Sequence, residues 1–323
     1  MKLVIPGGSG QVGTMLARAW HAEGHEVVVI GRRPVPAPWR TVAWDARTVG
    51  TWSREIDGAD VVVNLAGRSV NCRYSDANRR EIVASRIDSV HAVGDAIAQV
   101  TRPPRVWLQM STATIYAHRH DAPNDELTGR VGGDEPDAPD TWRFSIDVAR
   151  AWEDAALARR TPATRLVLLR SAMVMSPDRD GVFDVLLGLT RAGLGGAAAG
   201  GRQYVSWIHE HDLVEALRFL IDRDDIDGAV NLAAPGPLPH ADFMRTLRRA
   251  WGTSIGLPAT RWMLEIGAWA MRTETELVLK SRRVVPGRLL DAGFGFRFPG
   301  WGAAAGDLVQ RWRAARMVRT PSS

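Results

Sequence analysis

A glycine-rich turn near the start of the chain constrains the fold more than any other feature of the sequence. The apolar run Lys2–Pro6 predicts a short buried strand, and the stretch 12–20 is apolar on one face at helical spacing. Gly7, Gly10 and Gly13 stand where the strand gives way to the helix. Glycine lets the backbone turn tightly and approach a ligand, and a helix N-terminus offers free amides to an anion. This unit predicts a pyrophosphate-binding loop formed by Gly7, Gly8, Ser9, Gly10, Gln11 and Val12.

The residues after the second strand indicate which dinucleotide such a loop would take. Residues 26–30 form the second predicted strand, and Gly31, Arg32 and Arg33 follow it. Proteins that bind NAD usually have an acidic residue here, which holds the ribose 2′-hydroxyl. Two guanidinium groups would instead attract a 2′-phosphate, so we predict that Arg32 and Arg33 bind NADP(H). The alternative is that both arginines are solvated surface charges.

Strands and helices alternate along the first half of the chain. The further elements predicted there are strands at 41–44, 60–65, 105–110 and 165–169 and helices at 76–100 and 141–159. Later elements are a helix at 181–194, a loop at 195–201, a strand at 227–232 that returns to the sheet and a mostly helical remainder. We therefore predict an α/β fold, a Rossmann-like doubly wound parallel sheet with a small, mostly helical C-terminal cap.

The composition excludes several classes of protein. The 41 basic residues nearly balance 36 acids, the net charge is +5 and no run of five basic residues occurs, so we expect no nucleic-acid partner. The most apolar helical stretch, 262–271, is far shorter than the ~20 residues that a bilayer requires. The N-terminus also lacks a secretory signal pattern, so we expect no membrane partner. Cys72 is the only cysteine, which excludes a disulfide scaffold and is compatible with a cytoplasmic protein.

Several motifs occur together in the order typical of one superfamily. They are PGGSGQVG at 6–13, NLAG at 64–67, STATIYA at 111–117, LRSAMVMSP at 169–177 and WIHEHDL at 207–213. With them the chain resembles the short-chain dehydrogenase/reductase superfamily in its extended, epimerase-like form. More narrowly, GGRQYVSWIH at 200–209 and SRRVVPGRLLDAGF at 281–294 resemble the group called epimerase family proteins, whose C-terminal domain has no known function. The resemblance spans nearly the whole chain.

The resemblance implies catalytic positions but also shows a departure. The superfamily normally uses a Ser or Thr that holds the substrate carbonyl, a Tyr that transfers the proton, and a Lys four residues later that lowers the Tyr pKa. Thr112 takes the Ser/Thr position. The Tyr/Lys pair is absent, because the residues four positions after the three tyrosines, Tyr74, Tyr116 and Tyr204, are Asn78, His120 and Ile208. Tyr116 remains a candidate acid/base, in a turn where the superfamily's tyrosine is usually structural, and Ser145 and Asp147 lie on the helix that should carry the pair.

Further contacts to the cofactor are expected after the fourth and fifth strands. The turn at 64–67 is built of small residues, so a cofactor can lie against its backbone. A plain strand-ending turn would have the same composition. We predict that Leu65, Ala66, Gly67 and Ser111 contact the cofactor.

The substrate contacts are predicted from the resemblance. Ala172 and Met173 follow the sixth strand, where extended members place their substrate and nicotinamide contacts. Trp207 would form a wall of the pocket and Arg202 a polar contact, although a solvated loop explains Arg202 equally well. Val205 stands where nucleotide-sugar members often have an arginine, which argues against a UDP-sugar. If Ala172, Met173, Val174 and Trp207 line the pocket, the pocket is largely apolar.

Metal and hydrolase chemistry are less well supported. His118 and His120 are two residues apart, and so are His209 and His211, but a catalytic zinc site usually needs three converging ligands. We expect no metal. No G-x-S-x-G motif suggests a serine hydrolase.

These observations predict two domains and a function that depends on NADP(H). Residues 1–170 plus about 207–235 would bind NADP(H), and residues 171–206 plus 236–323 would form a substrate and cap region, with the substrate between them. We expect an NADP(H)-dependent oxidoreductase or epimerase-like enzyme acting on a small, fairly apolar carbonyl or alcohol. The alternative is a non-catalytic NADP(H)-binding redox sensor or regulatory protein. The sequence leaves open whether the chain is a monomer or a homodimer.

Overall fold

The computed structural model describes residues 1–135, 138–260, 263 and 276–317. The predicted apolar stretch 262–271 lies outside the described residues apart from Met263. The strands are β1 (Lys2–Pro6), β2 (Glu26–Gly31), β3 (Arg40–Ala43), β4 (Val61–Asn64), β5 (Val106–Thr112), β6 (Arg165–Ser171), β7 (Met173–Met175), β8 (Tyr204–Val205), β9 (Trp207–His209), β10 (Gly228–Leu232) and β11 (Leu238–Pro239). The helices are α1 (Gln11–Ala22), α2 (Asp76–Gln99), α3 (Asp140–Leu157), α4 (Val182–Arg191), α5 (Glu210–Asp222), α6 (His240–Trp251), α7 (Glu276–Leu279), α8 (Gly287–Asp291) and α9 (Trp301–Met317). Short 3₁₀ turns cover Thr51–Glu55 and Ala113–Ile115.

The predicted alternation of strands and helices is confirmed. Each element predicted between residues 2 and 194 is present, with ends that differ by three residues or fewer. The strands form because short runs of Val, Ile and Leu bury both faces, as in β4, whose four residues are all buried. The helices form because their apolar residues recur at helical spacing, as in α1, which buries Met15, Leu16 and Trp20.

A seven-stranded sheet has the order β10-β6-β5-β4-β1-β2-β3. Every pair of neighbours from β6 to β3 is parallel. The chain builds outward from β1 through β2 and β3 and then returns to the other side of β1 with β4. Ligands of such sheets bind at this reversal, beyond the carboxyl ends of the strands. The predicted Rossmann-like doubly wound sheet is thus confirmed, and the C-terminal region is helical as expected.

The chain forms two compact units. The first comprises Met1–Ile115, Ala138–Ser171 and Val214–Val230, and it contains the sheet from β3 to β6 with α1, α2 and α3. One of its core clusters packs α2 and α3 against the sheet and includes four large aromatic side chains, those of Trp44, Trp52, Trp107 and Trp152.

The second unit comprises Tyr116–Asp137, Ala172–Leu213 and Asn231–Ser323. It contains two small sheets, β7 beside β9 in parallel and β8 beside β11 in antiparallel. Its core is aromatic: the ring of Trp301 stacks on Phe243 with 4.1 Å between centroids and packs against Trp207 at 5.0 Å. Most of the tryptophans that the structure describes therefore act in packing.

Among the described residues, no helix combines the length and the apolar character needed to cross a bilayer. The cytoplasmic location stays a prediction.

Candidate functional site

The turn between β1 and α1 lies against the ends of two neighbouring strands. The Gly7 amide donates to the carbonyl oxygen of Ile30 at 2.8 Å, and the Leu65 amide donates to that of Pro6 at 2.8 Å. Gly7 has a φ of 75°, and a Cβ there would lie 2.5 Å from the backbone nitrogen of Ala66. The close approach of β1 to the turn after β4 therefore requires glycine at position 7.

The same turn presents unpaired donors to an anion. The first amides of α1 have no intrahelical acceptor, and the N-cap residue Gly10 has no side chain to cap them. Ser9 and Gly10 are exposed, and Gln11 and Val12 are half-buried. The Nε2 atom of Gln11 is buried and has no hydrogen-bond partner within the described part of the chain. An orphaned buried donor at the positive end of a helix fits a bound pyrophosphate, because phosphate oxygens would satisfy it.

Arg32 and Arg33 extend this site beyond the end of β2. Both side chains are exposed, and neither makes a hydrogen bond or an ion pair with the residues that the structure describes. Gly31, the residue before Arg32, lies beside Ser9 of the β1–α1 turn, since a Cβ on Gly31 would be 3.3 Å from the Ser9 Oγ atom. Two guanidinium groups without partners among the described residues thus follow the residue that lies against the β1–α1 turn, and their role in holding a 2′-phosphate stays a prediction.

The turn after β4 is shaped by a buried asparagine. The Asn64 Oδ1 atom accepts from the Ala66 amide at 3.1 Å, and its Nδ2 atom donates to Gln109 Oε1 at 2.9 Å. These bonds hold Leu65, Ala66 and Gly67 in the tight path that brings Ala66 against Gly7. The predicted role of this turn in holding the cofactor stays a prediction.

Ser111 and Thr112 end β5 with different partners. The Ser111 hydroxyl is buried and donates to Glu153 Oε1 at 2.6 Å, and Arg170 binds both oxygens of the same carboxylate, at 2.9 and 2.7 Å. Thr112 is half-buried, and its Oγ1 atom accepts from the Thr114 amide at 3.2 Å. Ser111 therefore has a structural partner, whereas the Thr112 hydroxyl keeps its own proton to donate. Sequence reasoning missed the pair of Glu153 and Arg170. The signal for a buried partner was Glu153 itself, an acid next to Trp152 on a largely apolar face of the helix.

Tyr116 belongs to the second unit and is held there by a buried network. Its hydroxyl donates to Asn231 Oδ1 at 2.9 Å, and only 2% of the residue is exposed. The backbone amide of Asn231 donates to Glu126 Oε1 at 2.7 Å. Burial is the largest cause that raises the pKa of Glu126. This environment gives Tyr116 a packing role, and its catalytic role stays a prediction.

The predicted substrate residues also belong to the second unit. Ala172 and Met173 are half-buried, and their amides donate to Leu232 and Ser206 carbonyl oxygens. Arg202 is exposed. Trp207 is fully buried, and its Nε1 atom donates to the Gly236 carbonyl oxygen at 3.3 Å. The aromatic core alone accounts for this tryptophan, so its contact with a substrate stays a prediction.

The helix that should carry the Tyr/Lys pair is α3. Asp147 is exposed on it. Ser145 instead lies 3.4 Å from the hydroxyl of Tyr74, which comes from the loop after β4. Sequence reasoning missed Tyr74 as a neighbour of α3 because 71 residues separate the two.

The four histidines weighed above as metal ligands make ring contacts or hydrogen bonds within the chain. His209 Nε2 lies 3.1 Å from an oxygen of Asp307, and the ring stacks on Phe298 with 4.0 Å between centroids. The rings of His118 and His120 meet edge to face at 5.0 Å. No group of three His, Cys, Asp or Glu residues within the described ranges could hold a metal ion.

Comparison with known proteins identifies the family. The NAD dependent epimerase/dehydratase family matches residues 3–233, and a domain of unknown function (DUF1731) matches residues 259–308. The chain belongs to the NAD dependent epimerase/dehydratase family. Within it, the Homo sapiens and Bos taurus proteins named epimerase family protein SDR39U1 are 29% and 32% identical to this chain over 314 and 317 residues. Both alignments cover 96% of this chain and 100% of the relative, which confirms the resemblance to epimerase family proteins.

Solved structures of this family share the fold. The crystal structure of human epimerase family protein SDR39U1 (isoform2) with NADPH has a TM-score of 0.82 and 28% identity, covering 96% of this chain and 99% of that one. A nucleoside-diphosphate sugar epimerase from Corynebacterium glutamicum has a TM-score of 0.72 and 25% identity, covering 97% of this chain and 61% of its own.

Proposed function

We propose that the protein binds NADP(H) at the β1–α1 turn and uses it as an oxidoreductase or epimerase-like enzyme on a small, fairly apolar carbonyl or alcohol. The observation that carries the cofactor assignment is the position of Arg32 and Arg33, exposed and uncommitted beside the phosphate loop. No carboxylate follows β2 to hold a free 2′-hydroxyl, although the family name refers to NAD. NADPH in the human relative's crystal structure supports the same choice.

The chemistry would centre on Thr112. A bound NADPH supplies a hydride to a carbonyl carbon. The Thr112 hydroxyl, whose oxygen already accepts from the Thr114 amide, would donate to the carbonyl oxygen and stabilise the negative charge that develops there. Ala172, Met173, Trp207 and Arg202 are the proposed substrate contacts.

A second candidate function is a non-catalytic NADP(H)-binding sensor or regulator. It is favoured by one observation, the absence of any Y-x-x-x-K sequence in the chain. Both candidates require the same cofactor site, so they differ only in turnover.

The cofactor assignment is tested by replacing both arginines. Arg32→Ala with Arg33→Ala removes charge-assisted bonds worth about 1.5–3 kcal/mol, which weakens NADPH binding about 10- to 150-fold and NADH binding much less. Affinity is measured by nicotinamide fluorescence. Arg160→Ala is the matched control, because this exposed arginine lies between α3 and β6, at the opposite ends of the strands. Equal losses for NADPH and NADH would refute the 2′-phosphate assignment.

Turnover separates the enzyme from the sensor. Oxidation of NADPH is followed by absorbance with a panel of aldehydes, ketones and quinones. If the protein is an enzyme, Thr112→Val lowers kcat about 10²- to 10³-fold with unchanged affinity for NADPH, since one donor to the developing oxyanion is lost. Thr112→Ser keeps the hydroxyl and most of the activity. Tight NADPH binding without turnover of any compound would support the sensor.

A further inference from the structure

Arg86 is a buried cation whose charge the described structure does not neutralise. It lies on α2, only 9% exposed, and its Nη1 atom donates to the Ile82 carbonyl oxygen at 2.9 Å. Its guanidinium stands 4.8 Å from the centre of the Trp152 ring. No carboxylate within the described ranges forms an ion pair with it. Burying a charge without a partner is costly, so such a group is usually retained for a task.

The position of Arg86 connects it with the cofactor site. Its side chain crosses the turn after β4, where a Cβ on Gly67 would be 3.3 Å from both Cγ and Cζ of Arg86. Trp152, on which the guanidinium rests, belongs to α3. Arg86 therefore lies between the turn proposed to hold the cofactor and the helix on which the superfamily's Tyr/Lys pair would be expected.

Tyr74 presents a hydroxyl to the same helix. The Tyr74 oxygen lies 3.4 Å from Ser145 Oγ, and its ring meets Phe144 edge to face at 5.0 Å. Burial lowers the pKa of Arg86 to about 10, and the charge of a Tyr74 phenolate raises it. Both side chains thus lie against the same helix, Tyr74 beside Ser145 and Arg86 over the ring of Trp152.

Arg79 is a second arginine of α2 that contacts Tyr74. Arg79 of α2 donates through Nε to the Tyr74 carbonyl oxygen at 3.0 Å, and its Nη2 atom pairs with Asp140 of α3. Asp140 compensates the charge of Arg79, whereas no carboxylate among the described residues forms an ion pair with Arg86.

We propose that Tyr74 and Arg86 replace the absent Tyr/Lys pair, with Tyr74 as the proton donor to the substrate oxygen and Arg86 as the cation that stabilises the phenolate. This inference rests on the proposed function. In the reducing direction the Tyr74 O–H bond breaks and an O–H bond forms on the substrate oxygen, while the carbonyl is reduced to an alcohol and NADPH is oxidised. The Tyr74 phenolate then takes a proton from water, so the tyrosine is regenerated.

The chain is well suited to a direct test, because it contains only three tyrosines. Tyrosinate absorbance is titrated between pH 7 and 10.5 in the intact protein and in Tyr74→Phe, and the difference gives the Tyr74 titration alone. We expect its midpoint at least one pH unit below the value of about 10 for free tyrosine. Tyr204→Phe is the matched control and leaves this early step in place.

Arg86 is tested in the same assay. Arg86→Met removes the charge and should raise the Tyr74 midpoint by about one unit or more, whereas Arg86→Lys should preserve most of the shift. If Arg86→Met does not fold, the comparison of Arg86→Lys with the intact protein still tests the shift. A Tyr74 midpoint at or above about 10, or one that Arg86→Met leaves unchanged, would overturn the proposal.

Activity separates this proposal from the one before it. With any substrate that turns over, Tyr74→Phe should lower kcat at least 100-fold with unchanged NADPH affinity, and Arg86→Met should move the pH profile of kcat to higher pH. Failure of the intact protein to oxidise NADPH with any substrate overturns the proposed function. Turnover that survives in Tyr74→Phe overturns only the role of Tyr74.

Discussion

At the scale of single residues, the clearest constraint is the contact between Gly7 and the turn after β4. Gly7 and Gly24 have similar left-handed φ angles, 75° and 81°. A Cβ on Gly7 would lie 2.5 Å from Ala66, whereas a Cβ on Gly24 would meet nothing within 4 Å. An alanine at position 24 therefore reports the cost of the left-handed backbone alone, and an alanine at position 7 reports that cost together with a steric clash.

We expect Gly24→Ala to lower the free energy of unfolding by about 1–2 kcal/mol, the usual cost of a left-handed residue. Gly7→Ala should cost roughly 1–3 kcal/mol more, because the clash forces the β1–α1 turn away from β4. It should also weaken NADPH binding, which Gly24→Ala should leave intact. Urea unfolding and fluorescence titration measure the two effects. Equal destabilisation by both variants would show that the contact with Ala66 is easily relieved.

At the scale of elements, a buried ion pair joins β5, α3 and β6. Glu153 of α3 accepts from Ser111 of β5 and binds Arg170 of β6 through both oxygens. Both charged side chains are largely buried, at 7% and 12% exposure. Removing the Glu153 carboxylate leaves the charge of Arg170 buried without this counter-ion, which is far more costly than breaking an exposed pair.

Glu153→Gln should therefore lower the free energy of unfolding by about 3–5 kcal/mol. The matched control is Asp95→Asn, which breaks the more exposed pair between Asp95 of α2 and Arg159 and should cost less than about 1 kcal/mol. Denaturant unfolding at pH 7 measures both. Comparable costs would mean that water reaches Arg170 in the variant.

At the scale of the whole molecule, the buried His209 and the half-buried His240 make stability depend on pH. Burial is the main cause that lowers the pKa of His209 to about 4, against the opposing effect of Asp307. Burial also lowers the pKa of His240 to about 4. An unfolded histidine titrates near 6.5, so between pH 6.5 and 4 the unfolded chain binds more protons than the folded one. Stability therefore rises with pH across this window and falls as the solution is acidified.

Between pH 6.5 and 5.5 each of these histidines should remove about 1 kcal/mol from the free energy of unfolding. His240→Asn, which keeps an acceptor near the Ala198 amide, should abolish its share of the decrease. His21→Asn, at an exposed position on α1, should leave the decrease unchanged. Urea unfolding at the two pH values measures the difference. A decrease that is the same in all three proteins would show that His240 is protonated in the folded state.

Much of the fold followed from local patterns in the chain. The strand at 60–65 and the helix at 76–100 were predicted within two residues of β4 and α2, because periodicity reports which face of each element is buried. The glycines at 7, 10 and 13 placed the turn between β1 and α1 for a similar reason, since strand, turn and helix N-terminus are adjacent in sequence. The exposed pair Arg32 and Arg33 could also be located, because it directly follows a strand.

The sequence by itself thus determined the strands of the sheet, the glycine-rich turn after β1 and the missing Tyr/Lys pair, all of which depend on residues a few positions apart. Only the tertiary structure decided that Glu153 pairs with Arg170 and that Tyr74 reaches Ser145 on α3, or that Arg86 lies buried on Gly67. These contacts join residues that are 17 to 71 positions apart. They depend on how α2 and α3 pack on the sheet and on each other, and a local pattern of apolar residues does not specify which polar side chains such packing brings together.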